Sequence, residues 1–502
     1  MGKIGVINIG SNSMKLMLFE VEEDGYYKIL DELHSNVRFC YDCENNCVIS
    51  EGLLKKIITD LKTFKQLCST AGAEKIILTA TESFRLEVNK ALLTDIIQSV
   101  LNLEVNILSY DEEIKYTALG VTKTMDTKNS LLVYVGGIVT HVAKLKDNNL
   151  VQYTTLPFGA MDISYTYDLT DRILGNNLTN AINHIEKTLL DIPWLAEERY
   201  DSIILSGIMA RNLCKIDRIK KRYPLSIEHN YLMDNMDIHD IFNTLKSKDK
   251  KQRNLVEGLD YGLGDVILGG TSIIHAIVGL VDCEKSIISS TGLLEGILYD
   301  YIINNYDIID DNLDYSITGI LNNLNINKVH AKHVYDLALK LYDKLRPLHK
   351  LNNDYLKILK TGAMLHDSGI SINYQNHHMN SFYIIMNSAL NNLSHRELLL
   401  SAGVAASHRF NSYKMPCTPF TSIINKHDLK IVDMIGVIVK IAEGLDRSTI
   451  SAVNDIEISL DDESVTITAL SDRDISMETS QAMRAAHKFK EIFNRDLIIR
   501  SV

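Results

Sequence analysis

Apolar residues set the rhythm of the first third of the chain. Residues 3–9 form a β-rich run, the turn Gly10-Ser11-Asn12-Ser13 follows, and a second apolar run covers 14–20. Two such runs around a short Gly/Asn/Ser turn predict a β-hairpin. Residues 53–68 carry apolar side chains at helical spacing, and 75–79 reads as a short buried strand. Residues 104–108 predict another strand, which feeds an acidic turn and a helix. The pattern then restarts, with a strand at 130–135, a turn at Gly136-Gly137 and a strand at 140–145. Residues 202–206, followed by Gly207, predict a further strand and turn. Two similar α/β units in tandem imply a duplicated fold with a cleft between its lobes.

The texture changes after residue 307. The Asp/Asn-rich stretch 310–327 reads as a linker. Helical patterns dominate 330–447. Alternation returns from 455, and the chain ends in a helix and a short strand, a small α/β cap.

Composition narrows the function. With 46% hydrophobic and 23% charged residues, the chain is an ordinary globular protein without long disorder. Lys+Arg number 52 against 64 Asp+Glu, a net charge of −12, which argues against a non-specific grip on nucleic acid. A polyanionic substrate stays open, because a local basic groove or a bound metal can reverse the field. The N-terminus runs straight into a strand rather than a secretory leader. Residues 266–281 are apolar but broken by Gly, Thr, Ser and His, so they predict a buried helix rather than a membrane span. The expected location is cytoplasmic. Among seven cysteines, Cys40, Cys43 and Cys47 cluster; they read as free thiols in a loop, or as metal ligands given a fourth donor.

Two constellations carry chemistry. A tight Gly/Ser/Asn turn between strands points several backbone N–H groups into one concavity, as a phosphate site requires, although ordinary hairpins share it. The second runs His330, His366-Asp367, His377-His378, His408 and Glu443, a mix of imidazole and carboxylate that suits Mn, Fe, Zn or Co better than Ca.

The segment INIGSNSMKLMLFE resembles the first phosphate loop of the exopolyphosphatase/guanosine-pentaphosphate phosphohydrolase family. TATESFRLEVN, ILSYDEEIKYTALGV, GLDYGLGDVILGGTSIIHAIVGL and SSTGLLEGILYD resemble later segments of the same family in order. The resemblance implies two actin-like lobes (1–125 and 126–305), a helical HD-type domain (310–450) and a small α/β domain (453–502). It implies Glu113 as the catalytic residue that positions water, and Gly10, Ser11, Asn12, Ser13, Arg85, Gly136 and Gly137 as phosphate-binding. A divalent metal, Mg or Mn, would neutralise developing charge. The implied substrates are polyphosphate or a guanosine alarmone, with a homodimer as the expected assembly and neither membrane nor specific nucleic acid as partner.

The adjacent His-Asp pair resembles the signature of the HD phosphohydrolase superfamily. That resemblance implies His330, His366, Asp367 and Glu443 as ligands of a transition metal, with His378 and His408 supporting a second ion. Asp446 is an alternative to Glu443. HAKHVYDLALKLYDKLRPLH also resembles the helical domain that relatives keep for structure or chain binding.

The chain departs from the family pattern where Asn8 replaces the opening Asp, where Tyr134, Ile138 and His141 interrupt the second loop, and at Leu294. Asn is a poor ligand for a hard cation, and Ile resists the positive φ that Gly tolerates. Three readings stand: hydrolysis of terminal phosphate in the cleft, non-catalytic binding of polyphosphate or alarmone, and metal-dependent phosphohydrolysis in the HD-type half.

Overall fold

The structure is a computed structural model that describes residues 2–37, 49–85, 87–409 and 413–502. Cys40, Cys43 and Cys47 lie outside the described residues. The chain divides into two compact units, Met1–Ile308 and Ile309–Val502.

The first unit holds two sheets. One is built from β1 (Gly2–Ile9), β2 (Ser13–Val21), β3 (Tyr27–Asn36), β4 (Lys75–Ala80) and β5 (Val105–Ile107), in the order β3-β2-β1-β4-β5. The other contains β6 (Asn129–Val135), β7 (Thr140–Lys146), β8 (Asn149–Leu156), β9 (Ser202–Ser206), β10 (Tyr231–Asp234) and β11 (Lys285–Ser289), in the order β10-β11-β9-β6-β7-β8. Taken from β8, the second sheet repeats the first and adds β10 at its edge. In both, an antiparallel three-strand meander continues into parallel strands. β1 and β6 are almost wholly buried at the centre of their sheets, which explains their near-continuous apolar runs.

The register makes the duplication exact to the residue. Ile9 pairs with Met14 and Val135 with Thr140, each across a four-residue turn. One position further out, Asn8 faces Lys15 and Tyr134 faces His141. Tyr134 and His141 are therefore the second lobe's counterparts of Asn8 and Lys15.

The apolar stretch predicted as a buried helix is the helix Ile267–Leu280, buried along nearly its whole length. No helix among the described residues is long and apolar enough to cross a membrane. The helix Leu293–Asn305 packs against the helix Tyr110–Thr122 at backbone distance. A Cβ on Gly296 would stand 1.7 Å from the Tyr116 carbonyl oxygen, and one on Gly120 2.2 Å from that of Gly292. Only glycine permits that approach.

The second unit corrects one expectation. Residues 312–323, read as linker, form the helix Asn312–Asn323. Asp311 caps it by accepting from the Asp314 N–H at 2.8 Å, while Leu313, Ile317, Ile320 and Leu321 bury one face. The Asp and Asn content marks a cap and a polar face, not a break. The helices Lys328–Lys344, Leu356–Met364, His377–Asn387, His395–Ser407 and Lys426–Leu445 follow. β12 (Asp455–Leu460), β13 (Ser464–Leu470) and β14 (Asp496–Ser501) then form a three-stranded sheet, with the helices Ser476–Ala482 and Ala486–Phe493 before its last strand.

Gly296→Val must push the two helices apart, so it is expected to lower stability by about 3 kcal/mol, the upper range of core overpacking. Denaturant unfolding checks this, and an unchanged midpoint would contradict the helix contact.

Candidate active site

The two turns line one cavity of about 420 Å³ in the first unit. Gly10 donates its N–H to the Ser13 carbonyl at 2.9 Å, and Gly136 donates to Val139 at 2.9 Å. The same four-residue turn is thus closed the same way in each lobe. Gly10, Ser11, Asn12, Ser13, Gly136 and Gly137 all face the cavity. None of Gly10, Gly136, Gly137 or Ile138 has a positive φ. The expected conflict at Ile138 does not arise, because this turn demands no left-handed residue. Glycine serves close approach instead: a Cβ on Gly159, at the start of the next helix, would stand 2.5 Å from the Gly137 carbonyl. That helix start spends its first N–H groups on the turn, Ala160 on Gly136 at 2.9 Å and Met161 on Gly137 at 2.8 Å.

Sequence reasoning missed the cavity's basic groups. Lys15 projects from β2 two residues beyond Ser13. Arg211 and Lys215 stand one helical turn apart on the helix Ile208–Lys221, and all three line the cavity. The available signals were period-two alternation after the first turn and i,i+4 spacing after Gly207. Each is partnered: Lys15 with Glu32 at 2.9 Å, Arg211 with Glu228 at 2.8 Å, and Lys215 with Asp260 at 2.9 Å. Burial, with Lys15 nearby, lowers the pKa of His34, so this cavity-lining imidazole is neutral at pH 7.

Glu113 lies outside the cavity lining. It enters the first turn of the helix Tyr110–Thr122, whose start is fixed by a capping box between Ser109 and Glu112. Its side chain has no exposed surface. Arg85 donates from Nη2 to its Oε2, and His141 Nε2 lies 3.5 Å from the same oxygen. Burial alone would raise the pKa of Glu113; His141 and Arg85 outweigh it and hold the carboxyl below its ordinary value. Its Oε1 has no hydrogen-bond partner. His141 is braced by Thr155 Oγ1 at 2.8 Å and stacks on Tyr134, with ring centroids 6.0 Å apart. Tyr134 lines the cavity and packs on Gly207, where a Cβ would come within 2.9 Å of the ring. A layer of Tyr134 over His141 thus accompanies the buried carboxylate.

Arg85, expected to clamp phosphate, is absent from the cavity wall. Its Nε donates to the Leu108 carbonyl at 2.7 Å, its Nη2 meets Glu113, and its guanidinium lies over the Tyr110 ring at 4.0 Å. An ion pair with a buried acid outcompetes an outward pose.

The cavity carries no preformed protein cage for the expected divalent cation. Its carboxylates are engaged: Glu32 and Asp260 with lysines, and Glu295 with the Gly292 N–H at 2.9 Å. Asn8 accepts from Thr79 Oγ1 at 3.0 Å, and Tyr134 supplies a ring. Among the described residues no three His, Cys, Asp or Glu donors converge in this cavity, although a Mg²⁺ ion held by one or two carboxylates and the substrate's own phosphates needs no such cage.

The residues match the Ppx/GppA phosphatase family over 19–305 and the Ppx/GppA phosphatase domain III over 314–488. The chain belongs to the Ppx/GppA phosphatase family. It is 24% identical over 425 residues to the guanosine-5'-triphosphate,3'-diphosphate pyrophosphatase of Pseudoalteromonas translucida, which covers 82% of this chain and 81% of that one. The namesake from Aeromonas hydrophila is 22% identical, with 76% and 75% covered. Among solved structures, an exopolyphosphatase from Cytophaga hutchinsonii superposes with a TM-score of 0.57 at 20% identity, covering 61% of this chain and all of that one. The Aquifex aeolicus family member gives 0.53 at 21%, with 61% and 99% covered. These likenesses carry the actin-like α/β fold.

In this Ppx/GppA chain the second unit brings part of the expected metal set together. His330 Nε2 and His366 Nε2 lie 3.7 and 3.6 Å from Asp367 Oδ2, and His408 Nε2 lies 3.7 Å from Oδ1. Two expectations are corrected. His377 rather than His378 joins, 3.2 Å from Asp367 Oδ1, because consecutive helical residues diverge by about 100°. His378 packs by the Tyr413 ring instead. Glu443 accepts from Arg447 Nη1 at 2.5 Å, and Asp446 takes the inward position against His330 Nδ1 at 2.8 Å. His366 and Asp367 follow the helix Leu356–Met364 rather than lying within it.

Arg85→Met leaves a buried carboxylate half-paired and is expected to cost about 3–5 kcal/mol of stability. A phosphate clamp alone would lower activity and leave the unfolding midpoint unchanged, so denaturant titration separates the two roles.

Proposed function

We propose that the cavity between the two turns hydrolyses the terminal phosphoanhydride of polyphosphate or of pppGpp, with Glu113 as the base that orients water. The observation that carries this is the pair of equivalently closed turns facing one cavity that Lys15, Arg211 and Lys215 also line. Curated relatives named as pyrophosphatases of the guanosine pentaphosphate support the substrate class. Phosphoryl transfer asks little covalent chemistry of the protein: it needs positioning, positive charge at the oxygens and an in-line nucleophile. Backbone N–H groups of the turns and the three cations supply the first two. His141 and Arg85 favour the ionised form of Glu113, and its Oε1, buried without a hydrogen-bond partner, is the atom that would receive a water once one enters. Ppx/GppA phosphatases generally depend on a divalent metal, which would neutralise charge on the phosphoryl oxygens; the roles given above are those of the chain's own residues.

A second reading is a protein that binds polyphosphate or alarmone without turnover. Asn8, Tyr134 and the enclosed Glu113 favour it, because they remove carboxylates from the cavity surface.

Phosphate release from long-chain polyphosphate and from pppGpp decides between them. Hydrolysis predicts turnover by the wild type and a loss of at least about 10²-fold in Glu113→Gln, the scale of general-base catalysis. A wild type that binds either compound and releases no phosphate establishes the second reading. If turnover occurs, the acid limb of kcat is expected below the ordinary glutamate value of about 4.3, since His141 and Arg85 hold Glu113 ionised. An acid limb near neutrality would assign the base to another group.

A further inference from the structure

Part of the cavity wall has the wrong chemistry for phosphate alone. Ala160, Met161, Ile208 and Leu263 line it together with the two turns. Ala160, Met161 and Leu263 belong to one buried core of the second lobe, and Ile208 packs against that core. Aliphatic side chains offer nothing to the oxygens of an anion. An apolar wall beside basic groups suits a ligand that carries both charge and a flat apolar part.

Tyr261 lines the same cavity and is 93% exposed, more than any other large apolar or aromatic side chain among the described residues. Its backbone is nevertheless fixed. The Asp260 N–H donates to Asn212 Oδ1 at 2.7 Å, and Asn212 Nδ2 returns a bond to Asp260 Oδ2 at 3.1 Å. Lys215 Nζ donates to Asp260 Oδ1 at 2.9 Å. Asn212 is fully buried, so the loop is anchored to the interior of the helix Ile208–Lys221. On its other flank Gly258 packs on the same helix, where a Cβ would stand 2.7 Å from the Ile216 nitrogen. The Leu263 N–H closes a turn onto the Asp260 carbonyl at 3.3 Å, and Gly262, with φ of 87°, takes the third position of that turn. Tyr261 is left at the corner. A pinned backbone thus displays one open ring, and a tyrosine with two side-chain torsions loses little freedom when a ligand covers it.

We propose that Tyr261 is the stacking platform for the base of a nucleoside polyphosphate whose phosphates lie on the two turns, and that it selects such a ligand over a phosphate chain that has no base. This assignment rests on the reading that the turns, Lys15, Arg211 and Lys215 hold phosphate. A bare phosphate chain has no flat apolar surface to lay on the ring, whereas every nucleobase has a π-face that stacks on an aromatic side chain. The aliphatic wall takes the remaining apolar surface of the nucleoside out of water. Tyr261 touches the base and none of the reacting atoms, so it is a specificity residue rather than a catalytic one.

The test measures dissociation constants of the full-length chain by titration calorimetry with Mg²⁺ present. The ligands are the βγ-imido analogues of GTP and ATP and inorganic diimidotriphosphate, whose terminal bridges resist hydrolysis. The wild type is expected to bind at least one nucleotide analogue about 10-fold more tightly than the triphosphate without a base, the scale of one base–aromatic stack. Tyr261→Ala is expected to remove most of that gap and Tyr261→Phe to keep it. A gap for the GTP analogue alone assigns a guanine base, and a gap for both analogues a purine of either kind; each supports the platform. No gap in the wild type, or a gap that survives Tyr261→Ala, overturns it. Lys15→Ala reports on the underlying reading: if it weakens all three ligands, the phosphate site stands whatever the Tyr261 variants show. A wild type that binds none of the three overturns the phosphate site and the stacking platform together.

Discussion

A carboxylate with no exposed surface must be compensated where it stands, and Glu113 imposes that constraint on the first unit. His141 contributes most to it, so the position that is Lys15 in the first lobe becomes an inward imidazole in the second. Arg85 adds an ion pair, and its guanidinium lies off the cavity wall. Tyr134 then covers His141, and Gly207 must lack a Cβ to make room for the ring. Two departures from lobe-to-lobe equivalence, Tyr134 for Asn8 and His141 for Lys15, accompany one buried charge.

The same constraint explains the electrostatics of the cavity. Its first turn keeps the polar Gly10-Ser11-Asn12-Ser13 surface, while the second contributes chiefly backbone. The positive charge comes from Lys15, Arg211 and Lys215, each paired with an acid. A polyanion entering the cavity must therefore compete with Glu32, Glu228 and Asp260 for those cations. Such exchange favours a highly charged chain over a single phosphate, since several ion pairs are gained together.

The second unit solves the opposite problem. It gathers imidazoles around a carboxylate that stays partly open, and spends backbone carbonyls and Asp446 on holding the rings. None of those acceptors is visible in the spacing of the histidines. The choice of His377 over His378 likewise rests on the direction of one helix, and that of Asp446 over Glu443 on where the helix Lys426–Leu445 ends.

Much of the architecture was legible along the chain. Strand–turn–strand units at 3–20 and 130–145 revealed the duplication, because alternation and turn chemistry are local properties. The stretch 310–327 misled, since Asp and Asn serve helix caps and loops alike. By itself the sequence determined the two phosphate-type turns, the family and the His/Asp inventory of the second unit, all of which reside in short contiguous segments. Only the tertiary structure decided that Arg85 pairs with Glu113 and lies off the cavity wall, that Tyr134 stands over His141, and which imidazoles share Asp367. Those outcomes are settled by burial and by the direction of side chains brought together from distant segments, and local residue patterns do not encode either.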